Sequence, residues 1–129
     1  MAVYVDNARL AYGRMRMAHM LADTIDELMA MADTIELDHR HFQLAAHPHF
    51  DVGAGRRRRA LAAGAHPADR HALVAAMDRY RVRVAHDPAE RARLRAWIAH
   101  LHPGREAAVI GALSARAPHA AARLSRRAS

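Results

Sequence analysis

Alanine is the most abundant residue in this chain of 129 residues, and it limits how a core can be built. Thirty-two positions are alanine, close to half of the 52% of residues that are apolar, and only six positions are aromatic. Alanine lets helices approach closely, but each methyl group buries little area. The few large apolar side chains must therefore gather in one core, and the length suits a single domain rather than a large multidomain enzyme.

Cysteine is absent from the chain. This excludes disulfide bonds, thiol nucleophiles and cysteine-ligated zinc, and it leaves histidine as the soft metal ligand. No apolar run approaches the length that spans a bilayer, and the first residues are typical of a strand rather than of a signal peptide. We therefore expect a cytoplasmic protein without a membrane partner.

Basic charge is concentrated in the second half of the chain. Residues 1–52 carry a net charge of −4 and residues 53–129 carry +11, which together give the formal charge of +7. Such an asymmetry is typical of a surface that faces a polyanion, either nucleic acid or an anionic small molecule. A coding bias is the alternative explanation, because all 20 basic residues are arginine.

The first half of the sequence predicts a small α/β layer. Residues 2–6 are typical of a buried strand that ends at Asp6, and the alternation over residues 14–22 predicts a central strand covered on both faces. Thr24 and Glu27 form a capping box at the start of a helix, and residues 41–44 are expected to return to the sheet. A strand, helix, strand order favours parallel pairing. The predicted fold is therefore α/β, with a small, mostly parallel sheet of three or four strands and flanking helices.

The remainder of the chain is predicted to be extended over residues 49–52 and helical after that. Four helices are expected, over residues 56–63, from a cap at Asp69, from a cap at Asp87 and over residues 106–115. We divide the chain into an α/β domain at 1–84, a C-terminal helical appendage at 85–117 and a disordered tail at 118–129.

Histidine and aspartate side chains of the first half are the candidates for chemistry. His49 and Asp51 are two residues apart on an extended segment and therefore face the same way. His19 and Asp23 also share a strand face, about 13 Å apart, and Asp6 ends a strand at the edge where open parallel sheets bind ligands. If these groups converge, they suit either a divalent metal or a histidine general base oriented by an aspartate.

The two versions of the site use overlapping residues. His49, Asp51 and His19 form the catalytic set, whereas His19, Asp23, His49 and Asp51 form the metal-binding set. Each residue also has a structural alternative. Asp23 and Asp51 can each cap the helix that follows, His19 can be a hydrogen-bonded core histidine, and Asp6 can simply end a strand.

A second candidate is an anion site at the start of the helix near residue 56. Gly53 and Gly55 precede four consecutive arginines at 56–59. Cations in the first turn of a helix oppose its dipole, so their placement there needs a reason. Free backbone amides together with the guanidinium groups of Arg56 and Arg57 would bind phosphate or carboxylate, and we assign Arg56, Arg57 and Asp6 to substrate binding. The alternative is that these arginines are simply solvated.

The sequence resembles a family of small bacterial and phage proteins known as a domain of unknown function. The resemblance covers roughly residues 2–80. It rests on the opening Val-Tyr-Val-Asp, the stretch His-Met-Leu-Ala-Asp-Thr at 19–24 and the His-Phe-Asp at 49–51. It implies a compact α/β domain with motif positions at Asp6, His19, Asp23, His49 and Asp51, and it brings no established activity. Three residues depart from the family pattern: Ala18 in place of Cys, Phe50 in place of Tyr and Gly53 in place of Ser or Thr.

Three functional hypotheses follow from these observations. The first is a small hydrolase-like enzyme that acts on a phosphate-containing or other anionic substrate through the histidine and aspartate site, with or without a divalent metal cofactor. The second is a non-catalytic accessory protein that binds nucleic acid or a protein through its arginine-rich second half. The third is a structural module that forms a homo-oligomer through its methionine-rich and alanine-rich helices.

Overall fold

The computed structural model describes residues 2–7, 10–12 and 15–128. Within these residues the chain forms five strands and six helices. The strands are β1 (Val3–Val5), β2 (Leu10–Tyr12), β3 (Met15–Ala22), β4 (Phe50–Gly53) and β5 (His66–Pro67). The helices are α1 (Ile25–Thr34), α2 (Ala54–Ala62), α3 (Arg70–His86), α4 (Pro88–Leu101), α5 (Glu106–Ala115) and α6 (Ala117–Ala128). The α/β class is therefore confirmed.

The sheet is mixed and mostly antiparallel, so the expectation of a mostly parallel sheet is wrong. Strand β3 pairs antiparallel with β1 and β2 on one side and with β4 on the other, and only β1 and β5 are parallel. The physical reason is the short connection between β1 and β3. It is too short for a crossover helix, because parallel strands need a crossover of a dozen or more residues, whereas short connections join antiparallel strands.

Strand β3 is the central strand, as predicted, and its two faces have different roles. Ala18 and Met20 are buried on one face, opposite Val52 and Phe50 of β4 in the register. His19 and Leu21 point to the other face because side chains alternate along a strand. The hydrophobic core forms on the first face, and His19 is thereby left on a face where polar groups can gather.

Helix α1 begins as the capping pattern predicts. The Thr24 hydroxyl accepts a hydrogen bond from the Glu27 backbone N–H, and the side chains of Ile25, Leu28 and Ala32 are buried at helical spacing. The residues that follow do not return to the sheet as predicted. Residues 39–41 form a 3-10 turn, and only Gln43 makes an isolated bridge, with His49. Because this bridge pairs a single residue on each side, the segment is a loop that closes over one edge of β4.

The second half is helical, and its N-caps lie at the predicted residues. Asp69 caps α3 by accepting from the Ala72 N–H, and Asp87 caps α4 by accepting from the N–H groups of Ala89 and Glu90. Gly64 follows α2 with a positive φ of 105°, which suits glycine at a helix end. The predicted division at residue 84 falls within α3. One continuous core includes apolar side chains of the strands, α4 and α5.

The expected disordered tail at 118–129 is also wrong, since residues 117–128 form α6. Asp78 of α3 is fully buried and accepts hydrogen bonds from Arg81, Arg123 and Arg127. Burial alone would raise the pKa of Asp78, but the hydrogen bonds from Arg123 and Arg127 outweigh burial and lower the pKa. Two arginines of α6 are therefore held on α3 by one buried carboxylate.

None of the helices in the described residues is both long enough and apolar enough to cross a membrane.

Candidate active site

Asp6 and His19 form a hydrogen-bonded pair at the end of β1. The Oδ2 atom of Asp6 lies 2.7 Å from Nδ1 of His19, and Oδ1 accepts the backbone N–H of His19 at 2.7 Å. Because an ionised carboxylate only accepts, Nδ1 of His19 carries the proton and donates it to Asp6. This arrangement directs Nε2 of His19 away from Asp6 and leaves it as the nitrogen that can accept a proton from another group.

The pair exists because β1 leaves the regular ladder at Asp6. The Asp6 N–H still donates to the His19 carbonyl, but the His19 N–H is taken by the Asp6 side chain rather than by its carbonyl. The Asp6 carbonyl instead accepts from Nε of Arg57 at 2.8 Å. Arg57 therefore ties α2 to the backbone of the Asp6–His19 pair. Arg57 was predicted to bind substrate, but its side chain contacts the protein's own backbone.

His49 and Asp51 form the second pair. Nδ1 of His49 lies 2.6 Å from the backbone carbonyl of His47, and Nε2 lies 3.4 Å from Oδ1 of Asp51. Gln43 donates from its side-chain amide to Oδ2 of Asp51 at 2.8 Å, which orients the carboxylate. Both nitrogens of His49 thus face acceptors, an arrangement that suits the protonated ring, because only the imidazolium donates from both nitrogens.

The two pairs meet across the sheet. His19 of β3 is directly opposite Asp51 of β4 in the register, so the two side chains share a face. The rings of His19 and His49 lie edge to face with their centroids 5.7 Å apart. Both histidines line one cleft of about 360 Å³, together with Gln43 and Asp51. Antiparallel register therefore achieves the convergence that the sequence analysis expected from a parallel sheet edge.

The same cleft has an apolar wall. Leu21 of β3 and Leu73 and Met77 of α3 line it together with the polar groups. A ligand in the cleft would therefore meet imidazole and carboxylate groups as well as hydrocarbon. Clefts of this mixed character, with a few converging polar groups, are the usual form of small-molecule sites.

His47 contributes to the site through its backbone carbonyl, while its side chain is buried. Its side chain is buried beside the ring of Tyr80, and Nδ1 has no hydrogen-bond partner among the described residues. Burial, with a smaller effect from the Arg81 charge, lowers the pKa of His47 to about 3. His47 is therefore neutral at physiological pH, and its contribution to the site is the carbonyl that orients His49.

A second, more basic cleft adjoins the first one. It measures about 910 Å³, and Asp51 lines both clefts. Arg56, Arg58 and Arg59 of α2 also line it, but they differ in availability. Arg56 donates to the Glu36 carbonyl and Arg59 pairs with the Glu36 carboxylate at 3.6 Å, whereas Arg58 is exposed and also lines a third cleft. Arg58 is thus better placed than Arg56 or Arg57 to meet an anion.

Asp23 lies outside the site, so the predicted metal-binding set does not assemble. Its Oδ2 atom accepts the backbone N–H of Ala2 and the hydroxyl of Tyr4, and Arg79 is 4.0 Å from Oδ1. Among the described residues, no three histidine or acidic side chains converge in a way that could hold a metal ion. Neither of the alternatives proposed for Asp23 and Asp51 as helix caps is observed, because Thr24 caps α1 and no side chain caps α2.

Several site residues were missed by the sequence analysis. Gln43, His47 and Arg58 were not assigned a role in the site. Phe50 was noted only as a position where the family pattern has Tyr. Phe50 points into the core, on the face opposite Asp51, so a phenol at this position would not lie beside the two histidines. Gln43 and His47 could have been predicted from their position near Pro48. The loop that contains this proline turns the chain back, so that residues before and after it lie side by side.

The comparisons with known proteins identify a family for most of the chain. No curated protein and no solved structure gave a match to the chain. A family model described as "Protein of unknown function (DUF4031)" matches residues 3–80. The matched region contains every residue of the two pairs, all five strands and helices α1 and α2. Because the match covers more than half of the chain, the protein belongs to the DUF4031 family.

Proposed function

We propose that this protein is a small hydrolase-like enzyme that uses the two histidines for acid–base chemistry on a phosphate-containing substrate. The observation that carries the proposal is the Asp6–His19 pair, a nearly buried carboxylate that holds one nitrogen of a partly exposed imidazole. His19 is 29% exposed, while Asp6 is only 9% exposed. A histidine whose other nitrogen is fixed by a carboxylate is a standard arrangement for a general base.

The two histidines have different roles in this proposal. His19 removes a proton from the attacking hydroxyl or water through Nε2, and Asp6 stabilises the imidazolium that forms. His49, held through Nδ1 by the His47 carbonyl, gives a proton from Nε2 to the leaving oxygen, which replaces the long 3.4 Å contact of that nitrogen with Asp51. Because the ring centroids are 5.7 Å apart, one bound substrate can contact both histidines.

A phosphate group fits the charge around the cleft. Arg58 is exposed at the neighbouring cleft, and Arg56 and Arg59 add positive charge even though each also contacts Glu36. Guanidinium groups bind phosphate with charge-assisted hydrogen bonds, and their field raises the local concentration of anions. This supports a phosphate ester over a neutral substrate.

The experiment measures turnover of chromogenic phosphate monoesters, phosphate diesters with and without a neighbouring hydroxyl group, and carboxylic esters by wild-type, His19→Ala and His100→Ala proteins. His100 is exposed on α4 and serves as the matched control. We expect turnover of a phosphate ester that His19→Ala lowers by roughly 10²–10⁴-fold, the usual contribution of a general base. His100→Ala should retain wild-type turnover. Absence of turnover on every ester, or equal rates for wild type and His19→Ala, would contradict the proposal.

The binding hypothesis is weakened by the internal contacts of the arginine-rich half. Arg81, Arg123 and Arg127 are engaged by Asp78. Arg93 and Arg91 are also engaged, by the Asp26 carboxylate and by backbone carbonyls respectively. Much of the positive charge that suggested a nucleic-acid surface thus holds the fold together. A non-catalytic binding protein would keep its affinity for nucleic acid after loss of His19, with a steep dependence on salt.

A further inference from the structure

The geometry of the cleft points to a narrower substrate class, and this inference rests on the function proposed above. We infer that the substrate is single-stranded RNA, cleaved at a phosphodiester by attack of the neighbouring 2′-hydroxyl. The inference depends on three features: two histidines held in different ways, a phosphate-attracting cleft beside them, and apolar side chains that line the same cleft as the histidines.

The first feature is the matched pair of histidines. His19 presents Nε2 as a proton acceptor, because Nδ1 donates to Asp6. His49 is arranged as a donor, because acceptors face both of its nitrogens. A reaction that needs one base and one acid at the same phosphorus matches this pair, whereas a reaction that needs only a base leaves His49 without a role.

Transfer within RNA is such a reaction, and its atoms balance without a further reactant. The 2′-hydroxyl proton passes to Nε2 of His19 while the 2′-oxygen bonds to phosphorus. The bond between phosphorus and the 5′-oxygen breaks, and that oxygen takes the proton of His49. The products are a 2′,3′-cyclic phosphate and a 5′-hydroxyl. The two histidines finish with exchanged protonation states, so water can open the cyclic phosphate with their roles reversed.

The nucleophile explains the preference for RNA. DNA lacks the 2′-hydroxyl, and the strand would then have to be cleaved by an external nucleophile. Such cleavage is commonly assisted by metal ions that activate water and clamp the phosphate. The described residues bring no three metal-binding side chains together, whereas the acid and the base needed for the internal reaction are both present.

The surroundings of the histidines suit an RNA strand rather than a small phosphate ester. Leu73 and Met77 provide an apolar surface on which a ribose or base can pack beside the reacting phosphate. Asp51 joins this cleft to the larger basic cleft, where Arg58 is exposed and can meet the next phosphate. The strand would therefore extend from the histidines toward α2.

The test uses a short fluorescent RNA oligonucleotide, the DNA oligonucleotide of the same sequence and bis(p-nitrophenyl) phosphate, which has no internal nucleophile. We expect RNA cleavage with 2′,3′-cyclic phosphate ends by mass spectrometry, no DNA cleavage and no effect of a metal chelator. His19→Ala and His49→Ala should each lower the rate by roughly 10²–10⁴-fold. His100→Ala, purified in parallel, should cleave like wild type, and circular dichroism should show that all variants are folded.

Each other outcome overturns something specific. Cleavage of the DNA or of the diester at the RNA rate, with dependence on His19, would overturn the RNA inference and leave the proposed hydrolase function intact. Loss of RNA cleavage in chelator would overturn the metal-independent mechanism. Absence of cleavage of all three substrates would overturn the inference, and absence of turnover on the wider ester panel as well would overturn the proposed function. RNA cleavage that persists in His19→Ala protein would indicate a contaminating nuclease and overturn the inference.

The role of Arg58 has a separate readout. Binding of single-stranded RNA to His19→Ala protein should weaken as salt rises, and Arg58→Ala should reduce the slope of log affinity against log salt by about 0.7, the value for one phosphate contact. Arg95→Ala is the matched control, because Arg95 is exposed on α4. An unchanged slope in Arg58→Ala would overturn the assignment of Arg58 to the strand.

Discussion

Asp78 and Asp6 are both buried carboxylates, and they differ in what surrounds them. Asp78, between α3 and α6, is fully buried, and within the part of the chain that the structure describes its carboxylate pairs with guanidinium groups. Asp6, at the end of β1, is paired with the imidazole of His19, a residue that lines a cleft. Arginine stays charged at every physiological pH, but histidine can gain and lose a proton. The first cluster can therefore only hold structure, whereas the second can move a proton.

The comparison separates stability from chemistry within one small chain. The Asp78 cluster joins residues 45 and more positions apart in sequence and fixes α6, which lies outside the family match. The Asp6–His19 pair lies within the matched region. We therefore expect substitutions in the two places to be distinguishable, with unfolding in the first case and loss of turnover in a folded protein in the second.

The largest effect on stability is expected from Asp78→Ala. It leaves Arg81 buried without its carboxylate and releases Arg123 and Arg127, and breaking a buried ion pair by removing one partner typically costs about 3–5 kcal/mol. Chemical denaturation with circular dichroism measures the change. Asp26→Ala is the matched control, because the Asp26–Arg93 pair is exposed and should contribute less than about 1 kcal/mol. Equal effects of the two substitutions on the free energy of unfolding would show that the Asp78 cluster does not hold α6 on α3.

Acid should destabilise the protein through His47. The pKa of His47 is near 3 in the folded protein and near 6.5 when unfolded, so the unfolded chain binds the proton first as pH falls. Stability is therefore complete above pH 6.5 and declines below it, by about 2 kcal/mol between pH 7 and pH 5. Glu90 acts with the opposite sign, since burial raises its pKa. The difference between wild type and His47→Leu isolates the histidine.

Denaturation curves of wild type and His47→Leu at pH 7 and pH 5 provide the check. The substitution should flatten the dependence of stability on pH by about 2 kcal/mol over this interval. If wild type and variant lose the same stability on acidification, the side chain of His47 is not buried in its neutral form.

Asp6→Asn is expected to change stability less than either Asp78→Ala or the acid titration of His47. The amide oxygen can still accept the His19 N–H, so the free energy of unfolding should fall by only about 1 kcal/mol, the value of a typical hydrogen bond. Turnover should fall much more, because a neutral amide cannot stabilise the His19 imidazolium. Denaturation and turnover, measured on the same preparation, separate the two. Loss of stability on the scale of Asp78→Ala would remove the contrast between the two carboxylates.

Local signals explain what could be predicted from the sequence. Thr24, Asp69 and Asp87 begin helices through contacts with residues two or three positions away, so their spacing alone was sufficient. His49 and Asp51 could likewise be paired, because alternate residues of a strand share a face.

Contacts between distant residues explain what could not be predicted. The pairing of Asp6 with His19 depends on the register between the antiparallel strands β1 and β3. The parallel sheet that we expected would place these two side chains differently. Asp23 was assigned to the site, but the terminal segment supplies its partners, Ala2 and Tyr4. Helix α6 was missed because the residues it buries are alanines, Ala117 and Ala120, which give a weak apolar signal, and because Asp78, which holds it, lies 45 residues from Arg123.

The most direct test of the account is the protonation pattern of the His19 ring, measured by nitrogen–proton correlation NMR on uniformly labelled protein. Neutral His19 should carry its proton on Nδ1, and Asp6→Asn should weaken this preference while His100 is unchanged. A wild-type ring protonated on Nε2, or a pattern unaffected by Asp6→Asn, would show that Asp6 does not hold His19 as a base and would contradict the central claim.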